Sequence, residues 1–264
     1  MSKEFNVICI KWGTAYGPEY VNNLYSMIKR NTSYKINFYC FTDEGKGLDT
    51  NIYVKPLPQL NTIEEYKTKY AYRKEAGLCD DTLGDLSNQR VFFFDLDVVI
   101  ISNLDEFFDY PNDDKFYIIN DWNTDGNHVG QASCYSWVVG TLGYVKEYFE
   151  NNPKEVVDKF FTASQEYLSS KIIEKQGELK FWPDNWFCSF RFHCLHKIGP
   201  FRHFFEPRIP TDRKNLKVIV FHGDPNPKEA SQGIWELKKG QEWKRLYKVC
   251  KPTSWVNKYW HSNE

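Results

Sequence analysis

Two rhythms of apolar and polar positions alternate along the first hundred residues. FNVICIKW (5–12), KINFYCFTD (35–43) and NIYVKPLP (51–58) are short β-rich runs bounded by Gly, Pro, Asn or Asp. They predict strands. Between the first two, PEYVNNLYSMIKR (18–30) sets Val21, Leu24, Tyr25 and Ile28 on one helical face, with Pro18 suited to the first helical position. After the third, TIEEYKTKYAYRKEAG (62–77) is helical in composition and ends on a glycine suited to a C-cap. VFFFDLDVVI (91–100) predicts a further strand, followed by a short helical turn in LDEFF.

Beyond residue 110 the same reading continues. FYIIND (116–121), SCYSWVV (133–139) and KVIVFHGD (217–224) predict strands, and residues 145–176 a mainly helical stretch interrupted near Pro153. The tail after Gly233, with Trp235, Trp243, Trp255 and Trp260, is expected to be helical and to pack on the body. Strands alternating with helices predict the α/β class: a mixed, mostly parallel sheet flanked by helices on both faces. At 264 residues, with no repeat and no linker, one domain is expected. Its parts would be a half over 1–100, a second over 101–233 and a packed tail over 234–264.

Composition narrows the partners. Thirty-four Lys and Arg against 35 Asp and Glu leave a formal net charge of −1, so no global field draws the chain to nucleic acid. The seven cysteines are scattered, with no C-x-x-C pair, which predicts free thiols in a reducing compartment. No apolar run reaches signal-peptide or transmembrane length, and a soluble cytoplasmic protein is the expectation. Aromatic residues reach 17%; an aromatic-rich core accounts for them, with stacking on sugars or bases as the alternative.

The exception to the apolar pattern is Asp95 and Asp97 within VFFFDLDVVI. In an open α/β sheet, ligands bind beyond the carboxyl ends of the strands, and residues two apart on a strand face the same way. Two such carboxylates repel, and a divalent cation with hard-oxygen preference, Mn²⁺ or Mg²⁺, relieves the repulsion. The bland reading is that they cap the following turn, although Asn103 and Asp105 already offer caps there. Two chemistries fit. A metal could grip the diphosphate of a nucleotide sugar. Otherwise Asp95 is a nucleophile and Asp97 a general acid. DLDVV resembles the first motif of the haloacid dehalogenase phosphatases, but the only nearby acidic pair, Asp113 and Asp114, lies in the turn PNDDK.

Taken together, KWGTAYGPEYVNNLY, FYCFTDE, TKYAYRKEAG, FFFDLDVVIISNLDEFF and VIVFHGDPNPKE resemble, in order and spacing, the GT-A fold nucleotide-sugar glycosyltransferases of the glycogenin-like retaining group. The matches run from residue 5 to about residue 230. The resemblance implies a single Rossmann-like domain, a nucleotide-sugar donor, expected to be UDP-linked, and a hydroxyl acceptor, expected to be a glycan. It implies that Asp95, Asp97 and His222 bind Mn²⁺, and that Lys11, Trp12, Gly13, Thr14 and Tyr16 surround the nucleotide, with Tyr16 stacking. Gly223 follows the histidine. Lys69, Arg73 and Lys228 would oppose the diphosphate charge, and Gln165 would lie on the sugar face. Three departures stand out: Asn226 where relatives have a lysine, Ser164 where they have an aspartate, and Ala132 where they have an asparagine. They keep open a third reading, a non-catalytic carbohydrate-binding protein on the same scaffold. The other histidines, including His193 and His196, read as structural.

Overall fold

The computed structural model describes residues 3–68, 72–122 and 129–262. The strands are β1 (Glu4–Lys11), β2 (Lys35–Thr42), β3 (Tyr53–Lys55), β4 (Arg90–Phe94), β5 (Val98–Ile100), β6 (Tyr117–Asn120), β7 (Gly130–Val138), β8 (Lys180–Phe181), β9 (Phe187–Ser189) and β10 (Val218–Val220). The α-helices are α1 (Pro18–Arg30), α2 (Glu64–Thr68), α3 (Tyr72–Glu75), α4 (Asp105–Asp109), α5 (Gly143–Asn151), α6 (Pro153–Phe160), α7 (Ser164–Gln176), α8 (Pro227–Gln232) and α9 (Ser254–Tyr259). Two compact units emerge. Unit 1 is Met1–Gly17, Tyr34–Asp95 and Glu106–Trp182; unit 2 is Pro18–Ser33, Leu96–Asp105 and Pro183–Glu264.

Unit 1 holds a seven-stranded sheet in the order β3-β2-β1-β4-β7-β6-β8. β3, β2, β1 and β4 run parallel, β7 is antiparallel to both β4 and β6, and β8 is parallel to β6. The mixed, mostly parallel α/β sheet expected from the sequence is therefore present. Val7, Ile8 and Cys9 are fully buried in succession, as in a strand covered on both faces. The aromatic residues here are mainly core. Phe93 stacks on Tyr135 at 4.6 Å, Tyr72 on Phe149 at 4.6 Å, and Trp182 lies 4.4 Å from Phe107.

Unit 2 holds a three-stranded sheet, β5-β10-β9, with β10 antiparallel to β5 and parallel to β9. α1 starts at Pro18 and buries Val21, Leu24, Met27 and Ile28, as its apolar face predicts. All seven cysteines are buried free thiols.

Three expectations change. VFFFDLDVVI is two strands of different sheets, β4 and β5, broken at residues 95–97, because β4 pairs with β1 and β7 while β5 pairs with β10. The same-face argument, which assumed a continuous strand, therefore lapses. Gly77 opens a 3₁₀ turn, Gly77–Cys79, instead of capping a helix. The tail is only partly helical, with a 3₁₀ turn at Glu242–Leu246 and then α9.

Candidate active site

In unit 1 the carboxyl ends of β1, β2 and β4 share one sheet edge because these strands are parallel. Lys11 ends β1 and is 6% exposed. Trp12 packs partly buried on the core, and Tyr16 is half-buried while Thr14 is exposed. Gly13 adopts φ +60°, a left-handed conformation that favours glycine, and its N–H donates to Asp43 Oδ2 at 2.9 Å. That bond ties the turn after β1 to the end of β2. Asp95 directly follows β4, and its backbone N–H donates to the Ser133 carbonyl of β7 at 2.8 Å.

The Asp95 carboxylate is met by a cation of the chain itself. Lys74 Nζ lies 3.1 Å and 2.9 Å from its two oxygens, 3.2 Å from the Ala132 carbonyl and 3.1 Å from Glu75 Oε1. The side chains of Lys74, Asp95 and Glu75 are 17%, 21% and 4% exposed. Burial pulls the Lys74 ammonium down, but the Asp95 and Glu75 carboxylates more than reverse this, and its pKa rises above the ordinary lysine value. Burial raises the Glu75 carboxyl, and Asp95 adds to the rise against the opposing Lys74.

Gln165, the second residue of α7, joins this cluster through β7. The Ala132 N–H donates to Gln165 Oε1 at 3.4 Å, and Gln165 Nε2 donates to Asp121 Oδ2 at 3.2 Å. Ser169 Oγ accepts from the Gly130 N–H and donates to the Gln165 carbonyl, holding the first turn of α7 against β7. Asp95 and Gln165, 70 residues apart in sequence, thus belong to one polar network. Ala132 serves that network through its backbone N–H and carbonyl.

Unit 2 carries the remaining candidates. The Phe221 N–H donates to the Asp97 carbonyl at 3.1 Å, so the residue before His222 is registered against Asp97. His222 Nε2 lies 2.6 Å from Ser189 Oγ, and its ring is 5.3 Å from that of Phe192. Gly223 adopts φ +73°. Asn226 is the N-cap of α8 in a capping box with Glu229, and its Oδ1 also accepts from Tyr20 Oη. Asn226 thus has a structural duty of its own at the start of α8. Lys228, 51% exposed, is paired with Glu19 at 2.9 Å.

Arg73 pairs with Glu64 at 3.2 Å instead of joining the Lys74 network. Lys69 lies outside the described residues. His193 accepts from the Ser189 N–H and neighbours Arg213 at 3.2 Å, as a structural histidine would. Lys74, Glu75, Asp43 and Asp121 belong to the polar network of this sheet edge and were not singled out by sequence reasoning. One signal was available: a Lys-Glu pair set between Tyr72 and Ala76, both fully buried.

The donor set Asp95, Asp97 and His222 is chemically suited to Mn²⁺ or Mg²⁺, two hard carboxylates with an imidazole. Among the described residues no group of three or more His, Cys, Asp and Glu is gathered to hold an ion. Lys74 takes both Asp95 oxygens, so an ion would have to share or displace that contact.

Strand order and the polar carboxyl edge define a class: the chain has the fold of the GT-A nucleotide-sugar glycosyltransferases. Among solved structures it is similar to the galactosyltransferase LgtC in complex with donor and acceptor sugar analogues, at 13% identity over 84% of this chain and 89% of that chain, with a TM-score of 0.53. It is also similar to an active-site Gln-to-Glu mutant of LgtC, at 13% identity over 92% of this chain and 100% of that chain, TM-score 0.51. The apo glycosyltransferase GlyE of Streptococcus pneumoniae TIGR4 matches at 14% identity over 97% of this chain, TM-score 0.54, and the chain spans 63% of GlyE. No family model matches the chain, and no curated protein matches it in sequence.

Proposed function

We propose that this protein is a glycosyltransferase that moves a sugar from a nucleoside diphosphate sugar, expected to be UDP-linked, to a hydroxyl acceptor, expected to be a glycan. The observation that carries the reading is the Lys74–Asp95–Ala132–Gln165 network at the carboxyl edge of a GT-A sheet. In the reaction the bond between the anomeric carbon and the diphosphate oxygen breaks, and the diphosphate leaves with the electron pair. The acceptor oxygen forms the new bond and loses its proton. Retention at the anomeric carbon rests on the resemblance alone.

The turn after β1 would hold the nucleotide, with backbone groups of residues 11–14 at the base and the Tyr16 ring stacked on it. Asp95, Asp97 and His222 would hold Mn²⁺ or Mg²⁺, which when bound neutralises the departing diphosphate. Lys74, paired with Asp95 and Glu75, would supply a fixed positive charge to the leaving group if the diphosphate binds beside Asp95. Gln165, oriented by Ala132 and Asp121, is the candidate for the sugar face. The active-site glutamine replaced in LgtC is consistent with that role. Lys69, Arg73 and Lys228 remain candidate partners of the phosphates.

A thermal-shift screen of UDP-, GDP- and ADP-sugars with and without Mn²⁺ tests the reading. A ligand that binds the folded state raises the unfolding midpoint. A nucleotide sugar that stabilises the chain, more so with Mn²⁺, is the expected result; no response to any nucleotide, with or without Mn²⁺, would contradict it. Release of phosphate from aryl phosphates would favour the phosphatase, and donor binding without turnover the non-catalytic scaffold.

A further inference from the structure

Unit 2 carries strong local positive charge. Residues 190–217 contain seven Lys and Arg against two Asp and Glu, and residues 234–251 six against two, in a chain of net charge −1. Two 3₁₀ turns lie in these segments, Gly199–His203 and Glu242–Leu246. They are tied together: Arg202 Nη1 donates to the Tyr247 carbonyl at 2.9 Å, and His203 Nε2 lies 3.0 Å from the Arg245 carbonyl. Gly199 permits the approach, since a Cβ there would stand 2.4 Å from Tyr247 Cβ.

From this joined base six large apolar side chains reach solvent: Ile198 is 55% exposed, Phe201 45%, Phe204 70%, Phe205 48%, Trp243 62% and Leu246 67%. Single exposed apolar residues are ordinary, but a cluster on one surface marks an interaction site. Lys197, Arg208 and Arg245 are exposed in the same segments, and Lys244 Nζ stands 5.7 Å from the Trp243 ring centre.

We propose that this surface docks the protein peripherally on a bilayer containing anionic phospholipid. Aromatic and aliphatic side chains enter the boundary between headgroups and acyl chains, while lysines and arginines hold the anionic headgroups. The composition favours a bilayer over a protein partner, because protein interfaces deplete lysine at their centres and here Lys244 stands beside the Trp243 ring. It favours a bilayer over single-stranded nucleic acid, because Ile198 and Leu246 offer no face on which a base stacks. None of this depends on sugar transfer.

Flotation of the full chain with vesicles of phosphatidylcholine, alone or mixed in equal parts with phosphatidylglycerol, tests the proposal. The wild type is expected to float only with the anionic vesicles. The variants Phe204→Ser/Phe205→Ser and Lys197→Glu/Arg245→Glu should each lower the bound fraction at least about tenfold, with unchanged unfolding midpoints. No flotation, or equal flotation by both variants, would overturn it. So would single-stranded RNA binding or self-association that depends on Phe204 and Phe205 in a protein that ignores vesicles.

Discussion

The carboxyl edge of the unit 1 sheet and the aromatic surface of unit 2 depart from ordinary burial in opposite directions. At the first, Lys74, Glu75 and Asp95 place three ionisable groups where their side chains are 4–21% exposed. At the second, six apolar side chains are 45–70% exposed on or beside two short turns. Departures from local rules concentrate at functional sites. The difference is in what holds each in place. The charged cluster is locked by mutual hydrogen bonds and β7 backbone; in the apolar surface Phe201 and Phe205 pack on the His196 ring, and all six side chains still face solvent.

Substitutions sharpen this contrast, and the largest expected effect is on turnover. Replacing Asp95 and Asp97 together by Asn should lower sugar transfer by about 10²–10³-fold, the scale of losing one preorganised electrostatic contact, read as initial rates of nucleotide release. Lys74→Met comes next. It leaves Asp95 and Glu75 facing each other without their cation and should destabilise unit 1 by about 3 kcal/mol in urea unfolding. Adding Glu75→Gln should recover part of that loss; a Lys74→Met protein as stable as wild type would show that the cluster is not structurally coupled. The surface variant Phe204→Ser/Phe205→Ser should behave in the reverse manner, with stability within about 0.5 kcal/mol of wild type and vesicle binding lost.

A smaller effect calibrates the charged region with a pair outside the cluster. Lys146 lies 2.6 Å from Asp80, and although burial pushes the Asp80 carboxyl up, Lys146 and Thr82 hold it below the usual carboxylate range. A folded-state value below the unfolded one gives stability that is present above the ordinary value of 3.8 and lost as pH falls through the depressed value. Asp80→Asn should therefore lower stability at pH 7 by roughly 1 kcal/mol, and the gap should close in acid, as measured by unfolding midpoint against pH.

Much of the fold was legible in the chain. Short β-rich runs gave β1, β2, β6, β7 and β10, and the Pro18 start with its apolar face gave α1. VFFFDLDVVI misled because nothing in an apolar run records that a strand changes sheets; only long-range pairing of β4 with β7 and β5 with β10 decides that. Asp95 and Gln165 were found as candidates, yet the residue joining them was not. Lys74 sits beside Arg73 in a helical composition, and which of two adjacent cations turns inward depends on packing around Tyr72 and Ala76. Asn226 shows the complementary case, where a residue that departs from the resembled pattern has a structural duty, a helix cap.

The central claim is most directly tested by the release of nucleoside diphosphate from a panel of nucleotide sugars with Mn²⁺ and mixed glycan acceptors. The account expects release from at least one donor by the wild type and its loss in Asp95→Asn/Asp97→Asn assayed well below that variant's own unfolding midpoint. Equal release by wild type and variant, or none from any donor, would contradict it.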